Sequence, residues 1–183
     1  MMKYSIALLV CCFFGCSDTP VQEQPEPWFE NEANKRGVDF IYESGFNGTP
    51  KYPEIFGGGA ALLDVDGDGD LDVYVVQGGS IHNPVQITVT NQLFLNDGTG
   101  FFTNATKGSG ADDTGYGMGA TTGDYDNDGD LDIYVTNVGA NTLLRNNGDG
   151  TFSNAVEEYF GHIPFYAMGV DAADINNDGL EDL

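Results

Sequence analysis

Three nine-residue stretches repeat one pattern of oxygen-bearing side chains. They read Asp64-Val-Asp66-Gly-Asp68-Gly69-Asp70-Leu-Asp72, Asp124-Tyr-Asp126-Asn-Asp128-Gly129-Asp130-Leu-Asp132 and Asp174-Ile-Asn176-Asn-Asp178-Gly179-Leu180-Glu-Asp182. Positions 1, 3, 5 and 9 carry a carboxylate or, at Asn176, a carboxamide, and position 6 is glycine. Carboxylates this close repel one another unless a hard cation sits among them. Calcium, which takes about six to eight oxygens in a flexible shell, is the natural candidate. The glycine lets the backbone turn so that ligands on both sides of it converge. Position 7 is Asp70, Asp130 or Leu180. A leucine side chain cannot ligate, so this position is expected to offer its main-chain carbonyl. The other reading, acidic Asp/Gly surface turns, accounts for one copy more readily than for three in one register.

The spacing also says what positions these groups. An EF-hand opens in the same way but needs a bidentate Glu at position 12 and a helix on each side. Here position 12 is Val75 in the first copy and Val135 in the second. The segments that follow, Leu71 to Gln77 and Leu131 to Asn137, are rich in β-branched and aromatic residues and read as strands. The segments before, Gly59 to Val65 and Gly119 to Tyr125, are short, with small residues suited to close strand packing. The loop is therefore expected to join two strands, with Asp72, Asp132 and Asp182 closing the ligand set from position 9.

The repeat extends past the loops. Asn91-Gln-Leu-Phe-Leu-Asn-Asp97, a Gly98-Thr-Gly turn and Phe101-Phe-Thr-Asn match Asn141-Thr-Leu-Leu-Arg-Asn-Asn147, Gly148-Asp-Gly-Thr and Phe152-Ser-Asn. Each pair reads as a hairpin whose turn needs positive φ. Met118-Gly-Ala and Met168-Gly-Val mark the same opening strand in the second and third units, and Gly78 to Thr90 reads as a surface loop inserted in the first. One unit is then strand, calcium loop, strand, linker, strand, turn, strand. The expected fold is all-β, a partial propeller of four-stranded blades. It has two complete blades, about 57–106 and 117–157, and the start of a third at 167–183. Phe46, Phe56, Tyr74, Phe94, Phe102, Tyr134 and Phe152 are expected to fill the blade core.

These repeats resemble the FG-GAP/VCBS calcium-binding β-propellers, the repeat also found in integrin α heads. The nearer resemblance is to bacterial proteins of the ASPIC/UnbV, cartilage-acidic-protein-like group. It is carried by Pro53 to Asp72, by Asn91 to Gly98 and by Gly117 to Gly129, and extends over about 28–183. The resemblance implies calcium ligands at positions 1, 3, 5, 7 and 9 of each loop, position 7 through its carbonyl. It also implies a ring of about seven blades, so that the chain reads as part of a longer array. No enzymatic activity comes with it.

The amino terminus reads as an export signal. Lys3 precedes an apolar run from Ile6 to Phe14, too short to span a bilayer, and Gly15-Cys16 ends it. This resembles a bacterial lipoprotein signal, 1–15, with Cys16 as the lipidated residue and 16–27 as an extended, proline-containing tether. An ordinary cleaved signal is the alternative. Cys11, Cys12 and Cys16 are the only cysteines, so no disulfide is expected in the exported body. The formal net charge is −23, and fourteen of the 29 acids lie in the three loops. Such a chain is not expected to bind nucleic acid through phosphate contacts. His82 and His162 read as surface residues, and Gly57-Gly58-Gly59, followed by an acidic loop rather than a helix, is not a phosphate cradle. Asn47-Gly-Thr49 and Asn104-Ala-Thr106 match glycosylation acceptors.

The expected function is a calcium-binding extracytoplasmic scaffold in the cell envelope. It would be anchored to a membrane through lipid, or else secreted, and would bind an extracellular protein or glycan. The competing expectation is the propeller portion of a larger secreted enzyme acting on polysaccharide. A third is a fragment with no function of its own.

Overall fold

Short segments rich in β-branched and aromatic residues build two antiparallel sheets; burial alternates along Ala60–Leu63 and Asp72–Val75 and is continuous along Asp132–Asn137. The computed structural model describes residues 27–81, 89–160 and 170–180. The segment read as an export signal, Cys16, His82, His162, Met168 and Asp182 lie outside the described residues. The first sheet comprises β1 (Ala60–Leu63), β2 (Asp72–Val75), β3 (Gln92–Asn96) and β4 (Phe102–Asn104). The second comprises β5 (Gly117–Gly123), β6 (Asp132–Asn137), β7 (Thr142–Asn146) and β8 (Phe152–Asn154). Each sheet is four-stranded, with its strands side by side in chain order. These are two blades of a partial propeller. One helical turn, α1 (Val156–Tyr159), follows the second blade, and residues 170–180 carry the third loop.

Register explains why the acidic loops stand at one end of each sheet. Leu63 pairs with Asp72 in the first blade and Gly123 with Asp132 in the second, so each loop closes directly over a β-ladder. At the same end the β3–β4 and β7–β8 hairpins turn through Gly98 and Gly148, at φ 77° and 74°. The expected positive φ at these tips is present.

The blades pack face to face through glycine and aliphatic side chains. A Cβ on Gly59 would lie 2.9 Å from the Gly119 Cα, so β1 and β5 approach at a distance that only glycine allows. Leu63, Val65, Tyr74, Val76 and Leu93 of the first blade share one buried cluster with Ile133, Val135, Leu144 and Phe152 of the second. Each large side chain buried this way contributes about 1.5–3 kcal/mol. The linker lies along this interface: Tyr74 donates its hydroxyl to the Ala111 carbonyl at 3.2 Å, and Asn91 N–H donates to the Asp113 carbonyl at 2.9 Å.

Two expectations are corrected. Phe46 and Phe56 are exposed rather than core. Both precede β1, Phe56 at the end of a 3₁₀ turn (Tyr52–Ile55), and the Phe56 ring meets Tyr52 edge-on at 4.9 Å instead of the sheet. The insertion read as surface loop starts buried. Gly78 and Gly79 lie under the segment that leads into the first blade, and Gly79 N–H donates to the Glu43 carbonyl at 2.7 Å. Tyr74, Phe94, Tyr134 and Phe152 are buried as expected, and Phe102 is half-buried.

Candidate metal centre

The three loops share one skeleton of hydrogen bonds. Asp64 accepts the N–H groups of Gly67 and Gly69 at 2.9 Å each and that of Asp68 at 3.2 Å. Asp124 accepts those of Asp128 and Gly129 at 3.0 Å, and Asp174 those of Asp178 and Gly179 at 3.0 and 2.9 Å. The position 5 carboxylates of Asp68, Asp128 and Asp178 then accept the N–H of Asp70, Asp130 and Leu180. The first aspartate thus pins the turn and the fifth position pins its exit, whatever residue stands at position 7.

Position 9 does more than close a ligand set. Asp72 and Asp132 are each only 1% exposed. Asp72 accepts N–H bonds from Val65 at 2.9 Å and Asn96 at 2.7 Å; Asp132 accepts them from Tyr125 and Asn146, both at 2.8 Å. One oxygen fixes the loop entrance and the other fixes the next hairpin. A carboxylate has about four lone-pair directions, so two bonds leave capacity for a cation.

Electrostatics in the loops favour a positive guest. Burial, and after it the neighbouring Asp126 and Asp128 carboxylates, push the Asp132 carboxyl up to about 6 despite its two N–H bonds. Asp72 is raised, chiefly by burial and less by Asp66 and Asp68. Asp126 is raised by burial and by Asp128, and its Oδ1 is buried without a hydrogen-bond partner. Its Oδ2 lies 4.0 Å from the Arg145 guanidinium.

Oxygen atoms converge in two sets. Asp64, Asp66 and Asp72 bring one carboxylate oxygen each within 4.8 Å of one another, and so do Asp124, Asp126 and Asp128. Asp68 stands outside the first set and Asp132 outside the second. Both sets hold positions 1 and 3; position 9 completes one and position 5 the other. The side chains of Asp70 and Asp130 turn away to the hairpin tips. Their Oδ2 atoms lie 2.5 and 2.6 Å from where a Cβ on Gly98 or Gly148 would be. In the third loop Asp174, Asn176, Asp178 and Leu180 are exposed. The donor set is all oxygen, and one buried oxygen lacks a partner, which fits a hard divalent ion. Asp64, Asp66, Asp72, Asp124, Asp126 and Asp128 would hold it, and it would supply the missing counter-charge.

Three supporting positions escape a reading of acids alone. Position 4 takes positive φ in every copy, 74° at Gly67, 59° at Asn127 and 61° at Asn177. Glycine and asparagine tolerate that region best, so the Gly/Asn/Asn choice was the available signal. Asn96 and Asn146 cap the loop ends: their Nδ2 atoms donate to the carbonyls of Leu71 and Leu131 at 3.1 and 3.4 Å. Asn91 and Asn141 clamp buried tyrosines, donating to Tyr74 and Tyr134 at 2.9 and 3.0 Å and accepting the N–H of Gln77 and Asn137. Their recurrence at one register in both units was visible in the sequence.

A family model described as FG-GAP-like repeat matches residues 64–135 and 124–183. No curated protein matches the chain. With acidic loops and hairpins repeating in register over most of its length, the chain belongs to the FG-GAP-like repeat family and is built as a β-propeller-like scaffold.

Proposed function

We propose that this scaffold binds calcium in its acidic loops and works outside the cytoplasm, where it is held to a membrane through Cys16 and binds a protein or glycan. The observation that carries the metal reading is the buried, unpartnered Asp126 Oδ1 among the convergent oxygens of Asp124 and Asp128. A carboxylate oxygen kept from water and from N–H donors is costly unless a cation faces it. Calcium answers this better than magnesium, because it accepts an irregular shell of several carboxylates and a carbonyl where magnesium demands a near-ideal octahedron. Bound at positions 1, 3, 5 and 9 with the carbonyl of position 7, the ion would staple the two strands that each loop joins. Lipid on Cys16 and a place among ASPIC/UnbV-like envelope proteins rest on the signal-like amino terminus and on the residues from Pro53 to Asp72.

Calorimetry on the chelator-stripped full chain tests the metal reading. One calcium per loop is expected, with dissociation constants near the extracellular range of about 10⁻⁴ to 10⁻³ M. Combining Asp66→Ala, Asp126→Ala and Asn176→Ala, at the third position that both convergent sets share, should abolish the heat. Equal heat from that variant and the unaltered chain overturns the assignment.

A further inference from the structure

Two Asn-Gly dipeptides occur in the chain, Asn47-Gly48 and Asn147-Gly148. In such a pair the glycine amide nitrogen can reach the asparagine carboxamide carbon with no Cβ in its way. Both pairs are exposed and both glycines take positive φ, so what separates them is the hydrogen bonding around each. Asn47, Gly48 and Thr49 are all exposed. Gly48 stands at φ 97° with no atom within 4 Å of where its Cβ would be. The Asn47 Oδ1 accepts the Thr49 N–H at 3.1 Å, which polarises the side-chain carbonyl. The Asn47 Nδ2, the group that would leave, makes no hydrogen bond among the described residues.

Asn147 is held at every point. Its Nδ2 donates to Thr151 Oγ1 at 3.0 Å, its Oδ1 accepts from Ser153 Oγ at 2.9 Å, and its backbone N–H donates to the Thr151 carbonyl at 2.9 Å. The attacking nitrogen is occupied too, since Gly148 N–H donates to Asn146 Oδ1 at 3.0 Å. The Asp130 carboxylate lies over Gly148, 2.6 Å from the place of its absent Cβ. A negative charge there opposes loss of the amide proton.

We propose that Asn47 is a site of spontaneous deamidation in the folded protein, and that the β7–β8 hairpin protects Asn147 from the same reaction. Solvent base removes the Gly48 amide proton. The nitrogen lone pair attacks the Asn47 Cγ and forms a five-membered succinimide. The Cγ–Nδ2 bond breaks, and ammonia leaves with a proton from solvent. Water then opens the ring at either carbonyl, giving aspartate or isoaspartate, with no oxidant or reductant involved. The product adds a carboxylate to an already acidic chain. Its isoaspartyl form lengthens the backbone beside a segment anchored to both blades, since Tyr116 donates to the Ser44 carbonyl at 3.2 Å and Gly45 packs against Gly79.

The test is peptide mapping by mass spectrometry after incubation of the full chain at mildly alkaline pH, folded and in denaturant. In the folded chain the amide-to-acid mass change should accumulate several-fold faster at Asn47 than at Asn147, and an isoaspartyl-specific methyltransferase should label the Asn47 peptide. In denaturant the two rates should converge. Thr151→Val should accelerate Asn147 and leave Asn47 unchanged. Equal rates in the folded chain, no reaction at Asn47, or no effect of Thr151→Val overturns the proposal.

Discussion

Asp132 sets protons and calcium against each other. Its carboxyl is moved from an ordinary 3.8 up to about 6, by burial first and then by Asp126 and Asp128. An acid whose folded-state pKa is raised binds its proton more tightly in the native chain than in the unfolded one. The linked stability is therefore complete below 3.8 and is lost as pH rises through about 6. At about 1.4 kcal/mol per tenfold, that interval costs the metal-free chain about 3 kcal/mol by neutral pH. Asp72 shifts in the same direction, again chiefly through burial. Asp97, lowered by the Thr99 hydroxyl and N–H, has the opposite sign, but its contribution fades only as pH falls below the ordinary carboxylate range. Calcium binds the ionised form, and at a hundredfold excess over its Kd it returns about 2.7 kcal/mol per site. Urea unfolding of the full chain, followed by far-ultraviolet circular dichroism at about pH 5 and about pH 7.5, should show a crossing. With chelator the chain is less stable at the higher pH; with calcium the loss is offset. Asp132→Asn should flatten the chelated profile. A chelated chain equally stable at both pH values, or no gain from calcium at the higher one, refutes the reasoning.

Four further outcomes follow from the same geometry. Asp72→Ala leaves the N–H groups of Val65 and Asn96 without an acceptor and should cost about 2–6 kcal/mol in urea unfolding even with chelator present, whereas Asp70→Ala should leave calcium titrations nearly unchanged. Gly98→Ala must hold φ 77° and meet the Asp70 carboxylate, so thermal melting should show a loss above about 1 kcal/mol. Asn146→Ala should weaken calcium binding at the first two loops in calorimetry, although its side chain contributes no metal ligand. Cys16→Ser, expressed in a bacterial host, should move the protein out of the membrane fraction; a wild-type chain that never incorporates labelled fatty acid would rule out the anchor.

The elements most legible in the sequence were those where one physical demand dominates. β-Branched and aromatic residues in Asp72–Val75 and Asp132–Asn137 forced strands, and Gly98 and Gly148 forced turns. At position 7, where Leu180 pointed to a main-chain role, the Asp70 and Asp130 carboxylates lie over Gly98 and Gly148. The destination of those two side chains was not legible, because the partner glycine lies in a different hairpin and only the folded sheet brings it near. Phe46 and Phe56 misled for the opposite reason. Aromatic character signals burial, but these two lie before β1, outside both sheets, where no ladder presents a face to cover them. The burial of Asp72 and Asp132 was likewise hidden, since in sequence they look like any other acid of the loop.

That burial makes the first two loops one unit rather than two. The Asp72 carboxylate holds the N–H of Val65, and the carbonyl of the same residue accepts Asn146 Nδ2 at 3.0 Å. The backbone N–H of Asn146 in turn donates to Asp132 at 2.8 Å. A continuous run of hydrogen bonds therefore passes from the closing acid of the first loop, through the neighbouring blade's hairpin, to the closing acid of the second. Every group on it is buried or nearly so, where hydrogen bonds are strong and an orphaned partner is costly. A cation that orders Asp72 fixes Val65, and a fixed Val65 holds Asn146 where Asp132 needs it. The acidic loops of adjacent blades are therefore expected to respond to calcium together. The link between them is a backbone carbonyl and an asparagine at the end of β7, neither of which counts among the acids that first drew attention to the sequence.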